Sequence, residues 1–352
     1  MKHVTQSDTE KNGAQYLEDL ATGYWYSEVL FAAVEMDIFS LLEEKGMSID
    51  ELSRRLQLDT GGLARFLQAL SVLGLVTENG HEYCNTPISA TYLVAGKEHY
   101  QGDSILWRKA LAVGWQGLQD CLKAGGRVDY PTDDAGEEQV VKRVGRYIKA
   151  MDCVAKTKVL EILPFFDDID FSGPILDVGT GSGAVAAGFL RQFPEIKATL
   201  MDIGWVLDYA KEMLGKAGLA NRINCVNANI LEPWPVDEKF KLVILSNVIH
   251  VYAEEEVSAI LAEAVRCLDH DGFVLIHDFF LQHSPSKAAL FDLNMFIHTY
   301  NGKVFDSRWV REELKTLKLS TTPLIPLATD TGIIVAAKSE EGLDKLKYKC
   351  RL

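Results

Sequence analysis

The sequence of 352 residues has no long apolar run that could form a membrane helix. None of its uncharged apolar runs reaches the roughly 18 residues that such a helix needs. Residues 1–13 are polar and lack the apolar segment of a secretory signal peptide. These two absences predict a soluble protein of the cytoplasm.

Cysteine is sparse as well, and no two cysteines stand close together. The chain has no C-x-x-C pair, and its six cysteines are Cys84, Cys121, Cys153, Cys225, Cys267 and Cys350. In a chain of this length such spacing is typical of reduced thiols in a cytosol.

Basic residues are the third shortage. The chain has 36 Lys and Arg against 50 Asp and Glu, which gives a formal net charge of −14. Because proteins bind phosphate backbones through clustered Lys and Arg, this balance argues against a general nucleic-acid binder. The hydrophobic share of 47% and the charged share of 24% are ordinary for a globular protein with a proper core. At roughly 150 residues per domain, the length indicates two domains.

The first hundred residues have the pattern of a winged helix. A capping signature at residues 48–51 opens a short helix, and a turn at residues 59–62 follows it. A second helix is predicted over Leu63–Leu73. The segment 75–83 then predicts a hairpin with an Asn79-Gly80 turn.

Winged helices often bind DNA, but the charge of this one favours pairing with a second chain. Residues 1–100 hold seven Lys and Arg against fifteen Asp and Glu, and the candidate recognition helix has only Arg65 as a cation. A DNA-reading helix brings several cationic or polar side chains to phosphates and base edges. We therefore expect a dimerisation domain over 1–100. An aromatic-rich helical linker is expected over 101–170, with a loop at 125–138.

Residues 171–352 show short apolar runs that alternate with helical stretches. Five runs predict strands, at 174–178, 198–201, 223–226, 242–245 and 273–276. With helices between them, these strands indicate a parallel sheet built from right-handed crossovers. Two further runs, 322–327 and 333–337, predict a terminal hairpin that adds an antiparallel strand. The predicted fold class is therefore α/β, preceded by a mostly α winged-helix domain.

The most informative segment is a strand that runs into a glycine loop and a helix. Asp177, Gly179 and Gly181 lie in residues 175–183, and the helix follows over residues 184–192. Glycines let the backbone approach a bound nucleotide, and ligands of such sheets lie beyond the carboxyl ends of the strands. The spacing also satisfies the dinucleotide fingerprint, so the loop alone leaves a dehydrogenase open.

Two acids favour S-adenosylmethionine over a dinucleotide. Asp177 stands two residues before the first glycine, where a carboxylate could approach a cationic amine but would repel a pyrophosphate. Asp202 ends the next strand 25 residues later, placed for ribose hydroxyls in either kind of site. S-adenosylmethionine carries a sulfonium and an ammonium cation and no phosphate, so this acidic loop suits it better.

On these motifs the sequence resembles the S-adenosylmethionine-dependent O-methyltransferases of the plant caffeate and animal hydroxyindole type, with their bacterial relatives. The resemblance covers nearly the whole chain. It implies a Rossmann-like cofactor domain, and an N-terminal domain that makes a homodimer and helps wall the partner's active site. Asp177 and Gly179 match the family's glycine loop, and Asp202 matches its ribose-binding acid. The resemblance also places Asn229 where the family has an adenine-contacting Asp, and Ser246 where it often has Lys.

The resemblance further implies a catalytic pair. His250 matches the family's general base, although residues 251–252 are Val-Tyr where the family has Asp-Trp. His250 also lies just past the fourth predicted strand, and an imidazole that is largely neutral at pH 7 can accept a phenol's proton. Asp278 matches the acid that orients the base. The family's second supporting acid falls at Val304, so one carboxylate is missing.

Four residues are candidate contacts of the methyl acceptor. Met151 and Met295 match methionines that sandwich an aromatic acceptor in the plant enzymes, and core packing explains them equally well. Tyr147 and His298 complete the candidate set. Three additional imidazoles lie near the predicted site, on His277, His283 and His298. Their spacing is not that of metal ligands, and we expect no metal.

The sequence therefore predicts a homodimeric methyltransferase that moves a methyl group from S-adenosylmethionine to a hydroxyl of a small, aromatic molecule. We expect neither a nucleic-acid nor a membrane partner. One alternative is a sulfur or carbon acceptor, for which His250 would be dispensable because a thioether has no proton to remove. The other is a winged-helix regulator that senses S-adenosylmethionine without turning it over, which the acidic N-terminal half disfavours.

Overall fold

The computed structural model describes residues 9–43, 45–128, 137–169 and 171–346. Cys350 and residues 129–136 of the predicted loop lie outside the described residues. The chain divides into two compact units, residues 1–113 and 114–352. Over the described ranges, no helix combines the length and the apolar character needed to cross a membrane.

The first unit is mostly helical and carries one small hairpin. Its described elements are α1 (Thr9–Ala21), α2 (Tyr24–Glu35), α3 (Ile38–Leu41), α4 (Ile49–Leu56), α5 (Thr60–Val72), β1 (Val76–Asn79), β2 (Glu82–Asn85), α6 (Pro87–Tyr92) and α7 (Gly102–Gln116), the last of which crosses the boundary. Its core is built where α4 and α5 turn their apolar faces inward, with Leu52, Leu67 and Leu70 fully buried. The helix, helix, hairpin order of the predicted winged helix is confirmed.

Two local expectations in this unit were wrong by a few residues. The segment 59–62, predicted as a turn, is the start of α5, because the Asp59 carboxylate accepts the Gly62 N–H at 2.7 Å and caps the helix. The hairpin pairs Asn79 with Glu82, so its turn is Gly80-His81 and not Asn79-Gly80. Gly80 has a φ of +68°, a conformation that glycine adopts without steric cost.

The second unit combines a sheet with helices on both of its faces. Its described elements are α8 (Leu118–Ala124), α9 (Glu137–Ile162), β3 (Ile175–Val178), α10 (Ala184–Gln192), β4 (Ala198–Asp202), α11 (Gly204–Lys216), β5 (Ile223–Asn227), β6 (Phe240–Ser246), α12 (Glu254–Arg266), β7 (Leu268–Asp278), α13 (Pro285–His298), α14 (Ser307–Thr316), β8 (Ser320–Thr321), β9 (Ile325–Pro326), β10 (Gly332–Ala337) and α15 (Glu340–Asp344). Helix α9, predicted within a linker, thus belongs to this unit.

The sheet has the strand order β5-β4-β3-β6-β7-β10-β8, and β9 also pairs with β10. Strands β3 to β7 are parallel, whereas β10 runs antiparallel to β7, which confirms the predicted fold class. The run 322–327 is not one strand: only β9 lies within it, and β8 ends one residue before it, since Pro323 and Pro326 cannot donate hydrogen bonds to a neighbour. Strand order reverses at β3, so a ligand crevice is expected at its carboxyl end.

Alternate residues of the central strands supply two separate cores. Leu242 and Ile244 of β6 pack with α9, α10 and α11 on one face, whereas Val243 and Leu245 pack with α12 and α14 on the other. Because successive side chains of a strand point to opposite faces of the sheet, the register of a polar residue shows on which face it lies. Asp177 pairs in register with Ile244 and therefore lies on the α9 and α10 face.

Candidate active site

The glycine loop after β3 takes a path that favours glycine. Gly179 and Gly183 have φ angles of +65° and +77°. A Cβ on Gly179 would stand 2.9 Å from the Val248 side chain, and one on Gly183 would stand 2.4 Å from that of Leu214. Backbone angle and close side-chain neighbours thus both favour glycine at these two positions.

Asp177 lies at the bottom of this loop and is 2% exposed. Its Oδ2 atom accepts the Thr180 hydroxyl at 2.8 Å and the Ala186 N–H at 3.3 Å. Burial raises the pKa of this carboxyl to about 7, although both hydrogen bonds act in the opposite direction. A cation beside it would favour its charged form.

Asp202 meets the glycine loop from the end of β4. Its Oδ2 atom accepts the Gly181 N–H at 3.0 Å, and its Oδ1 atom accepts the Ile203 N–H at 2.8 Å. Burial raises the pKa of this carboxyl above its ordinary value. The structure thereby brings together two residues, Gly181 and Asp202, that stand 21 positions apart.

A cavity of about 310 Å³ opens at the carboxyl ends of β3, β4 and β6. Its lining includes all six predicted cofactor residues, namely Asp177, Gly179, Gly181, Asp202, Asn229 and Ser246. Tyr147 and Met151 of α9 line it too. Among the described lining residues there are two carboxylates and no Lys, Arg or His. This donor set fits a cationic ligand with hydroxyl groups, such as S-adenosylmethionine, and is unfavourable for a pyrophosphate.

Asn229 and Ser246 are both engaged in hydrogen bonds. The exposed Asn229 accepts the Leu231 N–H through its Oδ1 atom at 3.1 Å, which orders the loop after β5. One lone pair of this oxygen remains to accept a hydrogen bond from a ligand. The Ser246 hydroxyl bonds the Nδ1 atom of His277 at 2.8 Å.

His250 lies in a short 3-10 turn just after β6, next to the end of β7. Its Nδ1 atom is 2.6 Å from Oδ1 of Asp278, and its backbone N–H donates to Oδ2 at 3.3 Å. Asp278 is fully buried and also accepts the Phe279 N–H at 2.8 Å. Because the carboxylate accepts, the Nδ1 atom carries the proton, and Nε2 has no hydrogen-bond partner among the described residues. The imidazole is thus held as a potential proton acceptor.

Two phenylalanine rings lie beside the imidazole of His250. The Phe291 and Phe279 ring centroids lie 5.2 and 6.2 Å from the imidazole centroid, and the two phenyl rings stack 3.8 Å apart. Val304, at the position of the missing acid, is 3% exposed and packs with Phe279 and Ala288. Asp278 is therefore the carboxylate on which the orientation of the imidazole depends.

Of the four predicted acceptor residues, two face the cavity and two lie on α13. Tyr147 and Met151 are cavity-lining residues, as noted above. Met295 is buried, and His298 donates from Nδ1 to the Asn294 carbonyl at 3.0 Å. Neither α13 residue lines the described cavity. The acceptor roles of all four stay predictions.

Sequence reasoning missed the contacts of His277. The residue was noted only as an additional imidazole, yet it bonds Ser246 in the cavity wall. The signal available was a polar residue in an apolar strand, immediately before Asp278. The described residues hold one group of possible metal ligands, Asp269, His270 and Asp271, at the surface in β7. In that group Asp271 pairs with Lys241.

Comparisons with known proteins agree with this geometry. An O-methyltransferase domain model matches residues 121–316, and an O-methyltransferase dimerisation domain model matches residues 18–95. A 3-hydroxy-5-methyl-1-naphthoate 3-O-methyltransferase of Streptomyces sahachiroi is 28% identical, over 87% of this chain and 91% of the relative. An acetylserotonin O-methyltransferase of Bos taurus is 27% identical, over 82% of this chain and 88% of the relative. The solved structure of human N-acetylserotonin methyltransferase in complex with S-adenosylmethionine has a TM-score of 0.80 at 22% identity, covering 95% of this chain and 99% of the other.

Proposed function

The chain belongs to the O-methyltransferase family, and from this premise we propose that it methylates a hydroxyl of a small aromatic molecule with His250 as the general base. Transfer of a methyl group from S-adenosylmethionine to a small molecule is the activity of the family. The dehydrogenase and regulator alternatives are therefore set aside. The observation that carries the finer proposal is the 2.6 Å pairing of His250 with Asp278.

The cavity residues have distinct roles in holding the cofactor. When bound, S-adenosylmethionine supplies a methyl group on a positively charged sulfur, whose departure as a neutral thioether makes the group easy to transfer. Asp202 has lone pairs left to accept ribose hydroxyls, since each of its oxygens accepts one backbone N–H. Asp177 supplies negative charge, and Asn229 lies at the adenine position that the family motif implies.

His250 is proposed to take the acceptor's proton at Nε2. A phenol has a pKa near 10 and is therefore largely protonated at neutral pH. Removal of its proton by His250 before or during transfer lowers the barrier for attack by the oxygen. Asp278 holds the Nδ1–H of the imidazole, which keeps Nε2 unprotonated and stabilises the imidazolium that forms. The remaining demand is that the oxygen be held in line with the methyl carbon, about 3 Å away.

The aromatic character of the acceptor is proposed from the rings beside His250. Phe279 and Phe291 stack on each other and meet the imidazole at steep angles, 83° and 76°. Rings of this kind favour offset or edge-to-face contacts with a further aromatic group. Met151 in the cavity wall and Met295 on α13 would add polarizable contacts.

We also propose that the protein works as a homodimer. The dimerisation model covers residues 18–95. Helices α1 and α2 leave large apolar side chains uncovered, with Leu17, Tyr24 and Trp25 between 57% and 64% exposed. Such side chains on one segment favour burial against another chain. We further propose that the protein is located in the cytoplasm.

Incubation with S-adenosylmethionine labelled at the methyl carbon tests the proposed reaction. The panel of acceptors contains phenols, aliphatic alcohols, thioethers and activated carbon acids of similar size, and NMR locates the methyl group in any product. We expect O-methylation of a phenol, at a rate that rises with pH because the general base must be unprotonated to accept the phenol's proton. Methylation confined to sulfur or carbon would contradict the hydroxyl acceptor.

Val304 favours a second candidate, in which the acceptor atom is sulfur or carbon. A buried valine in place of the family's second acid weakens the case for base-assisted transfer. A thioether acceptor needs no base, so its pH–rate profile at saturating S-adenosylmethionine would be flat between about pH 6 and 9. The same panel of acceptors, assayed across that range, separates the two candidates.

A further inference from the structure

A series of hydrogen-bonded side chains leads from Ser246 in the cavity wall into the protein interior. The Ser246 hydroxyl is 2.8 Å from Nδ1 of His277, and Nε2 of the same ring is 2.9 Å from the Thr331 hydroxyl. Ser246 and His277 are direct neighbours in the parallel β6–β7 register. The ring therefore connects the cofactor cavity with the turn that precedes β10.

His277 and Thr331 are both fully buried, with no exposed surface. Burial lowers the pKa of the imidazole to about 4, so the ring is neutral at physiological pH. A neutral imidazole has one donor and one acceptor nitrogen, and two hydroxyl partners satisfy both. His277 is thus held by hydrogen bonds at both ring nitrogens. Its bond to Ser246 fixes the direction of the Ser246 hydroxyl, and the tautomer of the ring decides whether that hydroxyl donates to it or accepts from it.

The segment on the far side of His277 is tied to the helix that forms another wall of the cavity. Lys158 of α9 bonds Asp330 at 2.8 Å, and Glu161 of α9 accepts the Thr329 N–H at 3.1 Å. Tyr147 and Met151, earlier on α9, line the cavity. The segment 329–331 therefore anchors both the α9 wall and, through His277, the Ser246 wall.

We propose that His277 is a positioning residue for the cofactor, holding the Ser246 hydroxyl so that it contacts S-adenosylmethionine in the cavity. Ser246 stands where the resemblance implied a Lys, and the imidazole behind it gives the short side chain a fixed direction. The inference depends on the cavity being the cofactor site and is independent of the acceptor.

Two substitutions at position 277 separate positioning from mere packing. In His277→Asn the side-chain amide stands near the place of Nδ1 and can still bond Ser246. In His277→Gln it stands near the place of Nε2 and can bond only Thr331. Ser246→Ala removes the hydroxyl itself. Calorimetric titration with S-adenosylhomocysteine measures affinity without an acceptor, and thermal unfolding of the free proteins records the structural cost of each change.

We expect S-adenosylhomocysteine to bind roughly tenfold more weakly to Ser246→Ala and to His277→Gln, the worth of one hydrogen bond to a bound ligand. The double variant Ser246→Ala/His277→Gln is expected to be no weaker than either single one, because both remove the same contact. His277→Asn should retain wild-type affinity even if its unfolding temperature falls. Additive losses, or weakening by His277→Asn equal to that by His277→Gln, would overturn the proposal. If the wild-type protein failed to bind S-adenosylhomocysteine, the cofactor assignment would fall with it.

Discussion

The proposed cofactor cavity and the surroundings of His250 lie at the same edge of the sheet, yet they follow the family's motif to different extents. In the cavity, Asp177 and Asp202 stand where the motif expects acids, and both line it. Around His250, the place of the second acid is taken by Val304, which is buried among apolar side chains. The cofactor region has retained these two acids but departs from the motif at Asn229 and Ser246, whereas the region of His250 has lost the acid at position 304 and the Asp-Trp that follows the base.

The difference follows from what each region has to recognise. A cationic ligand with a ribose requires carboxylates near it, which accounts for the two acids that are retained, Asp177 and Asp202. Acceptors differ from member to member, so the residues beside the base are free to change with them. In this chain Asp278 is the carboxylate that bonds the imidazole, and the comparison predicts where substitutions separate binding from turnover.

The largest effect is expected for His250→Ala. Loss of a general base lowers turnover by roughly 10²- to 10⁴-fold, while affinity for S-adenosylhomocysteine should stay within about twofold, because His250 does not line the cofactor cavity. Turnover is measured with the acceptor found in the panel, and affinity by calorimetry.

The surface residue His270 provides the matched control. Its side chain is 86% exposed, so His270→Ala should change neither quantity. If His250→Ala lost cofactor affinity together with turnover, the imidazole would be structural, and the separation between the two regions would fail.

Gly183→Ala tests the cofactor region and should weaken cofactor binding. A Cβ here meets Leu214 at 2.4 Å and forces a non-glycine residue to a φ of +77°. The clash costs about 1–3 kcal/mol, and the distorted loop should weaken S-adenosylhomocysteine binding by roughly 10- to 100-fold.

Gly218→Ala is the control for backbone angle alone. Its φ is +73°, and no atom lies within 4 Å of the added Cβ. It should lower the free energy of unfolding by about 1–2 kcal/mol and leave affinity intact. Equal losses of affinity in the two variants would show that the contact with Leu214 has no part in the cofactor site.

Local patterns were sufficient to predict which residues line the proposed cofactor cavity. Asp177 and Gly179 follow an apolar strand within a few residues, and Asp202 ends the next strand, so their proximity depends only on two parallel strands being adjacent. The helix predicted over residues 184–192 has the same bounds in the structure. Where chemistry and strand ends coincide in one short segment, the sequence alone indicates the site.

Contacts between distant segments could not be predicted in this way. Ser246 meets His277 only because of the β6–β7 register, and Thr331 reaches the same ring from 54 residues further along the chain. The cluster of Phe279, Phe291 and Val304 likewise joins a strand end, a helix and a loop. Such packing depends on tertiary register, which periodicity does not specify.

The pH dependence of cofactor binding tests the role of Asp177, whose charged form is disfavoured by burial. Because the pKa of Asp177 is raised to about 7, the free protein loses stability as the pH rises toward that value, and a ligand whose ammonium group favours the charged form binds with release of a proton. Affinity for S-adenosylhomocysteine should therefore be about tenfold higher at pH 8 than at pH 6. Asp177→Asn keeps the oxygen that accepts from Thr180 but cannot ionise, so its affinity should be lower and flat over this range. An unchanged slope in that variant would assign the titration to another group.

The smallest effect is expected where the cofactor region itself departs from the motif, at Asn229. Asn229→Asp restores the family's acid, and the carboxylate can still accept the Leu231 N–H, so the loop is unchanged. A charged acceptor makes a stronger hydrogen bond to the adenine amino group than an amide does. Because the site is exposed, the gain in affinity for S-adenosylhomocysteine should be only about threefold. The gain should vanish for S-inosylhomocysteine, which lacks the amino group, and a gain that persisted with it would show that residue 229 acts through overall charge and not through an adenine contact.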